Sequence, residues 1–314
     1  MRLAIVSPCY NEEEVLELSS KRIIELFDNL VAKGKISSDS FQLLVNDGSK
    51  DNTWNIIKKL HQENPYFKGL NLSGNVGHQN AIMAGMMVAK DLVDGVITID
   101  ADLQDDLNCI EQMIDAYNEG NEIVYGVKVS RTSDPLMKKV SAEVFYKLQE
   151  KMGVKSIFNH ADFRFMSRKA LNMLANYPEK NLYLRALIPM IGLKSTTVDD
   201  EISPREAGSS KYTLSKMLNL AVDGITSFSI KPIYCILYIG VMITLIGMAG
   251  IIVDVIYAII TNNNATGWAS LILSIWLIGG LLMSSLGCIG IYIGKIYNEV
   301  KSRPLYNIET FLNE

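Results

Sequence analysis

The sequence predicts an α/β domain with a mainly parallel sheet, followed by an apolar segment that enters a membrane. Short apolar runs alternate with helix-like patterns through residues 2–128, which is typical of such a sheet. Between residues 232 and 294, Asp254 is the only Asp, Glu, Lys or Arg. The mean hydropathy of +0.15, at 20% charged residues, therefore averages two different parts of one chain.

The first predicted unit is a strand, a turn and a helix. The apolar run at residues 2–9 is followed by Asn11, a residue that often caps a helix N-terminus, and by acids suited to a first helical turn. The same order returns after the apolar runs FQLLVND, GLNLSG and DGVITIDAD, and a further run reads NEIVYGVK. Continuous apolar strands indicate burial on both sides, so helices are expected on both faces of the sheet.

Polar residues follow each predicted strand at its carboxyl end, where sheets of this kind bind ligands. Taken singly, each has an alternative role as a helix cap or turn residue, but five strand ends together predict a binding site. The sequence contains no G-x-G-x-x-G and no G-x-x-x-x-G-K-[ST], so phosphates of a ligand would need a cation. The residues at these ends are Pro8, Tyr10, Asn11, Glu12, Asp47, Gly48, Ser49, Asp51, Asn75, Gly77, His78, Asp100, Asp102, Lys128 and Arg131.

The fourth strand ends in a cluster of carboxylates, VITIDADLQDD, at residues 96–106. A solvated loop is one interpretation and a metal site is the other. Asp100 and Asp102 cannot both face inward in a regular pleat, so the chain is expected to turn there. Both would then offer hard oxygen ligands to Mg²⁺ or Mn²⁺, with Gln104 adding a carbonyl oxygen. Such an ion would stabilise a departing diphosphate.

An ordered set of motifs resembles the family 2 glycosyltransferases of GT-A fold, a Rossmann-like α/β fold. The likeness covers nearly the whole chain and is narrower for bacterial polyprenyl-phosphate glycosyltransferases, relatives of dolichyl-phosphate mannose synthase. Two positions depart from that pattern: Asn46 stands where an Asp is usual, and Lys128 where an Arg is usual. The motifs are SPCYNEEE, NDGSKDNT, NVGHQNAIMAG, DADLQDD, VYGVKVSR, HADFRFMSRKAL, REAGSSKYTLSKML and YIGKIYNEVKSRPLY.

The resemblance implies roles for individual residues. Binding of a nucleotide sugar is expected from Pro8, Tyr10, Glu12, Asp47, Asp100, Ala101 and Asp102. The metal is expected on Asp100, Asp102 and Gln104. The catalytic pair is expected to be Asp162 and Arg164, on a short extended piece before a helix, for which a helix-flanking salt bridge is the alternative. A phosphate monoester acceptor has a second pKa near ~6 and scarcely needs a base, so Asp162 is expected to orient the acceptor or support the positive sugar carbon as much as to take a proton.

Four cations are expected to bind phosphate at the acceptor side: Lys128, Arg131, Arg205 and Lys211. The last two flank turn-forming residues in SPREAGSSKY, for which a solvated loop is the alternative. Beyond Lys211, apolar residues recur at helical spacing, which predicts an amphipathic helix in the headgroup region or, alternatively, a core helix.

The apolar runs KPIYCILYIGVMITLIGMAGIIVDVIYAII and WASLILSIWLIGGLLMSSLGCIGIYIG each exceed the roughly 20 residues that cross a bilayer core, which predicts two transmembrane helices. Basic residues flank the outer ends and are missing from the connection, so the N-terminal domain and both termini are expected in the cytosol. Asp254 is expected near the far end of the first span, reaching water or pairing with a neighbouring chain. The four cysteines show no metal or disulfide spacing.

These observations divide the chain into a cytosolic glycosyltransferase domain (1–210), a juxtamembrane amphipathic helix (211–231), a two-helix transmembrane domain (232–294) and a cytosolic C-terminal tail (295–314). A multi-pass protein of the plasma membrane is expected, without nucleic acid as a partner. Whether it forms a homo-oligomer is left open.

The predicted activity is metal-dependent, inverting transfer of a hexose to polyprenyl phosphate at the cytosolic membrane face, for modification of a cell-surface glycan. The resemblance implies glucose from UDP-glucose and undecaprenyl phosphate as the first choice; GDP-mannose, UDP-galactose and UDP-GlcNAc are alternative donors. A processive polysaccharide synthase is disfavoured because no Gln-x-x-Arg-Trp motif is present. A non-catalytic membrane module that binds nucleotide sugars is the remaining alternative.

Overall fold

The computed structural model describes residues 1–129, 152, 157, 159–201, 226–227, 229–261 and 268–313. The strands are β1 Leu3–Cys9, β2 Phe41–Asn46, β3 Phe67–Leu72, β4 Gly95–Thr98, β5 Ile123–Lys128, β6 His160–Ser167, β7 Ser195–Asp200 and β8 Ile308–Leu312. The helices are α1 Leu16–Ala32, α2 Thr53–Glu63, α3 His78–Ala89, α4 Asn108–Asn118, α5 Arg168–Leu174, α6 Leu184–Met190, α7 Lys231–Thr261 and α8 Trp268–Lys301.

The strands form one sheet in the order β7-β5-β6-β4-β1-β2-β3-β8. Strand β1 pairs in parallel with β2 and β4, β2 with β3, and β5 with β7. Strand β6 runs antiparallel to β4 and β5, and β8 antiparallel to β3. The predicted α/β class with a mainly parallel sheet is confirmed.

Helices cover both faces of this sheet, as predicted. One core contains Ile23 and Phe27 of α1, Ile57 of α2 and Ile110 of α4, and the other contains Ala81 of α3 together with residues of α5 and α6. Every residue of β1 is buried, which explains its uninterrupted apolar run.

The two antiparallel strands bring their first residues to the edge where the parallel strands end. Thr98, at the end of β4, lies opposite Arg164 of β6, and Leu72, at the end of β3, lies opposite Ile308 of β8. Residues near the start of β6 and β8 therefore lie at the ligand-binding edge predicted from the parallel strands.

Two long helices, α7 and α8, precede β8. Among the described residues, one segment, Leu277–Lys301, is long and apolar enough to cross a membrane, with a mean hydropathy of 1.8 and none of it buried. This agrees with one of the two predicted spans. Asp254 lies in α7, but the surroundings of its side chain fall outside what the structure describes.

The C-terminal residues are more ordered than the predicted tail at 295–314. Helix α8 continues to Lys301, and residues 308–312 form β8 on the edge of the sheet. Glu299 of α8 accepts hydrogen bonds from the backbone N–H groups of Lys180 and Asn181 at 2.8–3.0 Å. The chain after the apolar segment thus returns to the N-terminal domain.

Candidate active site

The chain turns sharply after β4, as predicted for the carboxylate cluster. The Leu103 N–H donates to the carbonyl oxygen of Asp100 at 3.1 Å, and Leu103 adopts a left-handed backbone with φ +46°. Arg22 of α1 donates to the Leu103 carbonyl at 3.2 Å and holds this turn against the domain. The turn presents Asp100 at the carboxyl edge of the sheet, with 54% of its side chain exposed.

Asp100 and Asp162 both approach the same nitrogen atom of one imidazole. The Nε2 atom of His78, the first residue of α3, lies 3.6 Å from Asp100 Oδ1 and 3.4 Å from Asp162 Oδ2. Burial lowers the pKa of His78, but the hydrogen bond with Asp162 and the charge of Asp100 outweigh it, so the pKa is raised. His78 was predicted to lie at this edge, without a role of its own.

Asp162 is held by two arginines. Arg164 Nη2 donates to Oδ1 at 2.6 Å, and Arg185 Nη2 of α6 donates to Oδ2 at 3.1 Å. Thr98 also donates its hydroxyl to the Asp162 carbonyl oxygen. Burial raises the pKa of Asp162, but Arg185, His78 and Arg164 together hold it well below its usual range. Asp162 is therefore a fixed carboxylate and a poor proton acceptor at neutral pH.

Arg164 is fully buried, which lowers its pKa, and its ion pair with Asp162 offsets part of the cost of that burial. The predicted pair Asp162 and Arg164 is therefore brought together on β6, although the pairing alone assigns no catalytic role. Arg185 was not predicted. Its segment, LRALIPM, reads as an ordinary short helix, and no motif within it points to a distant carboxylate.

Crowding at the β4 turn favours a cation near Asp100. Burial raises the pKa of Asp100, and the charges of Asp162 and Asp102 raise it further, whereas His78 and Lys128 lower it. The side chain is crowded by protein atoms yet half open to solvent, so the site is a cleft rather than a closed interior. No group of three or more His, Cys, Asp or Glu side chains is arranged as a metal cage among the described residues. The hard carboxylate oxygens of Asp100 and Asp102 nevertheless fit Mg²⁺ or Mn²⁺, ions that complete their shells with water and substrate phosphates.

Lys128 lies at the same end of the sheet. Its Nζ is 3.4 Å from Asp105 Oδ1, a carboxylate that is 5% exposed. Burial raises the pKa of Asp105 to about 7, with Asp100 and Asp200 adding to the rise and Lys128 opposing it. Gln104, the third predicted metal ligand, has a buried Nε2 without a hydrogen-bond partner among the described residues.

On the other side of the edge, Asp47 organises the loop before α3. Its Oδ1 accepts from the Val76 N–H at 2.7 Å, and its Oδ2 accepts from the Gly77 N–H at 3.1 Å. Burial raises the pKa of Asp47 despite these bonds. Gly48, with φ +63°, lies so close to this loop that a Cβ would stand 2.4 Å from the Asn75 nitrogen, so only glycine fits.

The prediction that Asn11 caps α1 is wrong. Helix α1 begins at Leu16, and Asn11 adopts a left-handed backbone with φ +53°. Its side chain accepts from the Lys50 N–H at 2.9 Å, and its own N–H donates to Ser49 Oγ at 3.0 Å. Asn11 therefore joins the loops after β1 and β2 instead of starting a helix.

The remaining predicted residues divide into three groups. Pro8 and Ala101 are buried, Tyr10 is 40% exposed, and the Glu12 N–H donates to Thr53 Oγ1 at 2.9 Å. Asp102 lies half-buried in the β4 turn. Arg131, Arg205 and Lys211, and most of the juxtamembrane segment 211–231, lie outside the described residues.

Comparison with known proteins identifies relatives of this chain. The chain is 48% identical over 307 residues to the glycosyltransferase YkoT of Bacillus subtilis, covering 98% of this chain and 91% of that protein. It is 35% identical over 313 residues to a prophage-derived bactoprenol glucosyl transferase of Shigella flexneri, covering 98% of each. A solved structure of glucosyl-3-phosphoglycerate synthase from Mycobacterium tuberculosis is similar with 16% identity and a TM-score of 0.49, over 72% of this chain and 76% of that one.

The family model for glycosyl transferase family 2 matches residues 4–174, which contain β1 to β6 and the Asp100, Asp162 and Asp47 sites described above. That match covers more than half of the chain. The protein therefore belongs to glycosyl transferase family 2 and is a glycosyltransferase.

Proposed function

We propose that this glycosyltransferase moves a hexose, glucose from UDP-glucose as first choice, to a polyprenyl phosphate such as undecaprenyl phosphate. The observation that carries the proposal is that Asp100 and Asp162 both lie within 3.6 Å of His78 Nε2 at the carboxyl edge of the sheet. The choice of lipid and sugar is supported by the relatives named bactoprenol glucosyl transferase, whose similarity extends through α7 and α8.

The donor binds along the edge, with its nucleotide near the loops that Asp47 and Asn11 organise and its diphosphate near the β4 turn. Asp100 and Asp102 would hold Mg²⁺ or Mn²⁺, with Gln104 beside them. The ion supplies positive charge to the departing nucleoside diphosphate. Pro8, Tyr10, Glu12 and Ala101 line the nucleotide-sugar side in this proposal.

Asp162 acts as a fixed anion rather than as a base. The acceptor phosphate is already largely ionised at neutral pH, since the second pKa of a phosphate monoester is about 6. One of its oxygens attacks the anomeric carbon on the face opposite the leaving diphosphate, so the configuration inverts. A carboxylate whose pKa is held well below its usual range stays negative throughout and stabilises positive charge on the sugar ring.

Positive groups draw the acceptor phosphate to this end. Arg185 is 22% exposed and Lys128 30% exposed, so both side chains reach the cleft. We extend this set to Arg131, Arg205 and Lys211 on the basis of their charge and sequence position. Their combined charge would offset the phosphate that enters with the lipid.

We further propose that both α7 and α8 cross the membrane, with the N-terminal domain in the cytosol. Their 31 and 34 residues correspond to about 46 and 51 Å, at 1.5 Å per residue, against a hydrocarbon core of about 30 Å. Lys231 begins α7, and Lys295 and Lys301 lie in the last turns of α8, which supports the same side for both ends. The bonds from Glu299 to residues 180 and 181 support the presence of the catalytic domain on that side.

The test is lipid glycosylation by the purified full chain. Undecaprenyl phosphate is incubated with radiolabelled UDP-glucose, UDP-galactose, UDP-GlcNAc or GDP-mannose in Mn²⁺ or Mg²⁺, and label is counted in the extracted lipid. We expect label from UDP-glucose, loss of it in EDTA and its restoration by added metal. Absence of labelled lipid with every donor would overturn the proposal.

A further inference from the structure

A chain of amide hydrogen bonds connects the C-terminal strand to the loop after β2. Asn71 Nδ2 donates to Glu309 Oε2 at 2.7 Å, and Asn46 Nδ2 donates to Asn71 Oδ1 at 2.6 Å. Asn46 Oδ1 then accepts from the backbone N–H of Ser49 at 3.3 Å. The chain thus runs across three neighbouring strands, from β8 through β3 to the end of β2.

Ser49 continues the chain of hydrogen bonds into the loop after β1. Its hydroxyl oxygen accepts from the N–H of Asn11, whose side chain in turn accepts from the N–H of Lys50. Asn11 is in a strained left-handed conformation, so these bonds hold it there. Tyr10 and Glu12, its neighbours, lie on the proposed nucleotide side.

The direction of the bonds is set by Glu309. An ionised carboxylate only accepts, so Asn71 must turn its NH₂ group toward Glu309 and its oxygen toward Asn46. Asn46 must then donate its NH₂ group to Asn71, which leaves its oxygen for the Ser49 N–H. One charge on β8 therefore selects one of two orientations for each amide.

The strand geometry at Glu309 explains why its side chain reaches Asn71. The pairing of β3 with β8 shifts register between Asn71, opposite Thr310, and Leu72, opposite Ile308, which leaves Glu309 without its own partner. Such a bulge redirects a side chain. Asn46 and Asn71 are 3% and 9% exposed, so water does not easily replace a lost bond between them.

We propose that Glu309 is a positioning residue for nucleotide binding: it orients Asn71 and Asn46 so that the loop at Ser49 and Asn11 is held ready for the donor. This rests on the proposed function, in which that edge binds a nucleotide sugar. Glu309 touches no reacting atom in this scheme. Its effect falls on donor affinity and not on the chemical step.

The test reverses the direction of the hydrogen bonds and then restores it. Lysine only donates, so Glu309→Lys turns both amides around and leaves the NH₂ group of Asn46 facing the Ser49 N–H. In the double variant Asn46→Asp with Glu309→Lys, the carboxylate introduced on β2 would accept from both Ser49 and Asn71, and the Asn71 oxygen would accept from the lysine introduced on β8. Glu309→Gln retains an acceptor, and Thr310→Lys places a lysine at the adjacent position of β8 as a control.

Dissociation constants for UDP and for GDP with Mn²⁺ are measured by calorimetry, and the donor KM and kcat by lipid glycosylation. Glu309→Lys is expected to weaken nucleotide binding roughly fivefold, the loss of about one hydrogen bond, with kcat unchanged at saturating donor. The double variant is expected to bind within about twofold of the wild type, because the second substitution restores the hydrogen bonds that the first one loses. Glu309→Gln and Thr310→Lys are expected to bind as the wild type does.

Equal weakening of nucleotide binding by Glu309→Lys and by the double variant would overturn the inference. It would show that the substitutions disturb the site whichever way the hydrogen bonds run. Equal binding by wild type and Glu309→Lys would overturn it too, and would leave the proposed function intact if the wild type transfers sugar. A wild type that binds no nucleotide and labels no lipid would instead overturn the proposed function. Thermal unfolding of each variant identifies any that fail to fold. If Glu309→Lys is among them, Glu309→Ala, which removes the acceptor without adding a donor, is used instead, and it is expected to raise donor KM with kcat unchanged.

Discussion

The two ends of the ligand edge are built differently. At the end proposed to bind the nucleotide, here called the nucleotide end, Asp47 and Asn46 are buried and their side chains bond to backbone or amide groups of the same domain. At the end proposed to hold the reacting groups, here called the reaction end, Asp100 is half exposed and close to other carboxylates. The first arrangement is complete without a ligand, whereas the second gains from a cation. In the proposed scheme, the residues that shape the nucleotide loops and the residues near the reacting groups therefore lie at different ends of one sheet edge.

Two buried carboxylates illustrate the difference. Asp47 is held by neutral backbone N–H groups, and burial raises its pKa. Asp162 is equally sheltered, yet Arg185, His78 and Arg164 keep its pKa well below the usual range. Charged partners, and not depth in the protein, decide which carboxylate is a permanent anion.

The largest effect is expected from Asp162→Asn. If the fixed charge of Asp162 supports the transition state, turnover falls by roughly two to three orders of magnitude, as on loss of one preorganised electrostatic group. Initial rates of lipid glycosylation with saturating donor measure this. Nucleotide binding in Mn²⁺ is the control for folding, because the substitution also leaves Arg164 and Arg185 without their carboxylate. Near-normal turnover would contradict the role.

A smaller loss is expected from Arg185→Ala. Asp162 keeps Arg164 and His78 but loses the partner on Oδ2, so its orientation loosens and the acceptor phosphate loses a cation. Turnover should fall about tenfold, equivalent to roughly 1.4 kcal/mol. Arg185→Lys is the matched variant, and it should restore only part of the rate because a point charge replaces a fork. A rate unchanged by Arg185→Ala would remove Arg185 from the reaction end.

At the nucleotide end, Asp47→Asn tests the structure of the donor-binding loop rather than the transfer step. Asparagine offers one oxygen where Asp47 uses two, so one backbone N–H of the loop at Val76 and Gly77 loses its acceptor. We expect a loss of about 1–3 kcal/mol in the free energy of unfolding. Thermal unfolding should show a lower Tm, and donor KM should rise more than kcat falls. A fall in kcat without a rise in donor KM would contradict the assignment of Asp47 to donor binding.

The smallest effect is expected away from both ends. Lys59 and Glu17 form an ion pair of 3.5 Å with side chains 59% and 65% exposed. Solvent screens such a pair, so Lys59→Ala should change stability by less than about 1 kcal/mol and leave donor KM unchanged. A thermal melt and one activity assay suffice, and a large effect here would show that the other losses are not specific.

Much of the fold could be predicted because its strands and turns follow from local sequence patterns. The buried run of β1 and the polar residues at the strand ends indicated a parallel sheet and its ligand edge, and the carboxylates at 100 and 102 indicated the turn after β4. The extended piece with Asp162 was also predicted, although its antiparallel direction was not. Its direction is seen only in its pairing with β4 and β5, and it leaves no mark on the sequence of the strand itself.

Long-range contacts account for what the sequence did not predict. Arg185 contacts Asp162 only because α6 packs on the second core, and LRALIPM carries no sign of that contact. Asn11 resembles a helix cap locally, but the loop after β2 holds it elsewhere. Strand β8 is five residues long and pairs with a strand far back in the chain.

Pairing of β8 with β3 also has a consequence for biosynthesis. Asn71 and Glu309 are 238 residues apart, and both long helices are translated between them. The ribosome therefore completes the apolar segments before the outer rim of β3 acquires its neighbour. A nascent chain stalled ahead of residue 308 exposes a bare strand to other chains, which makes premature termination an aggregation hazard.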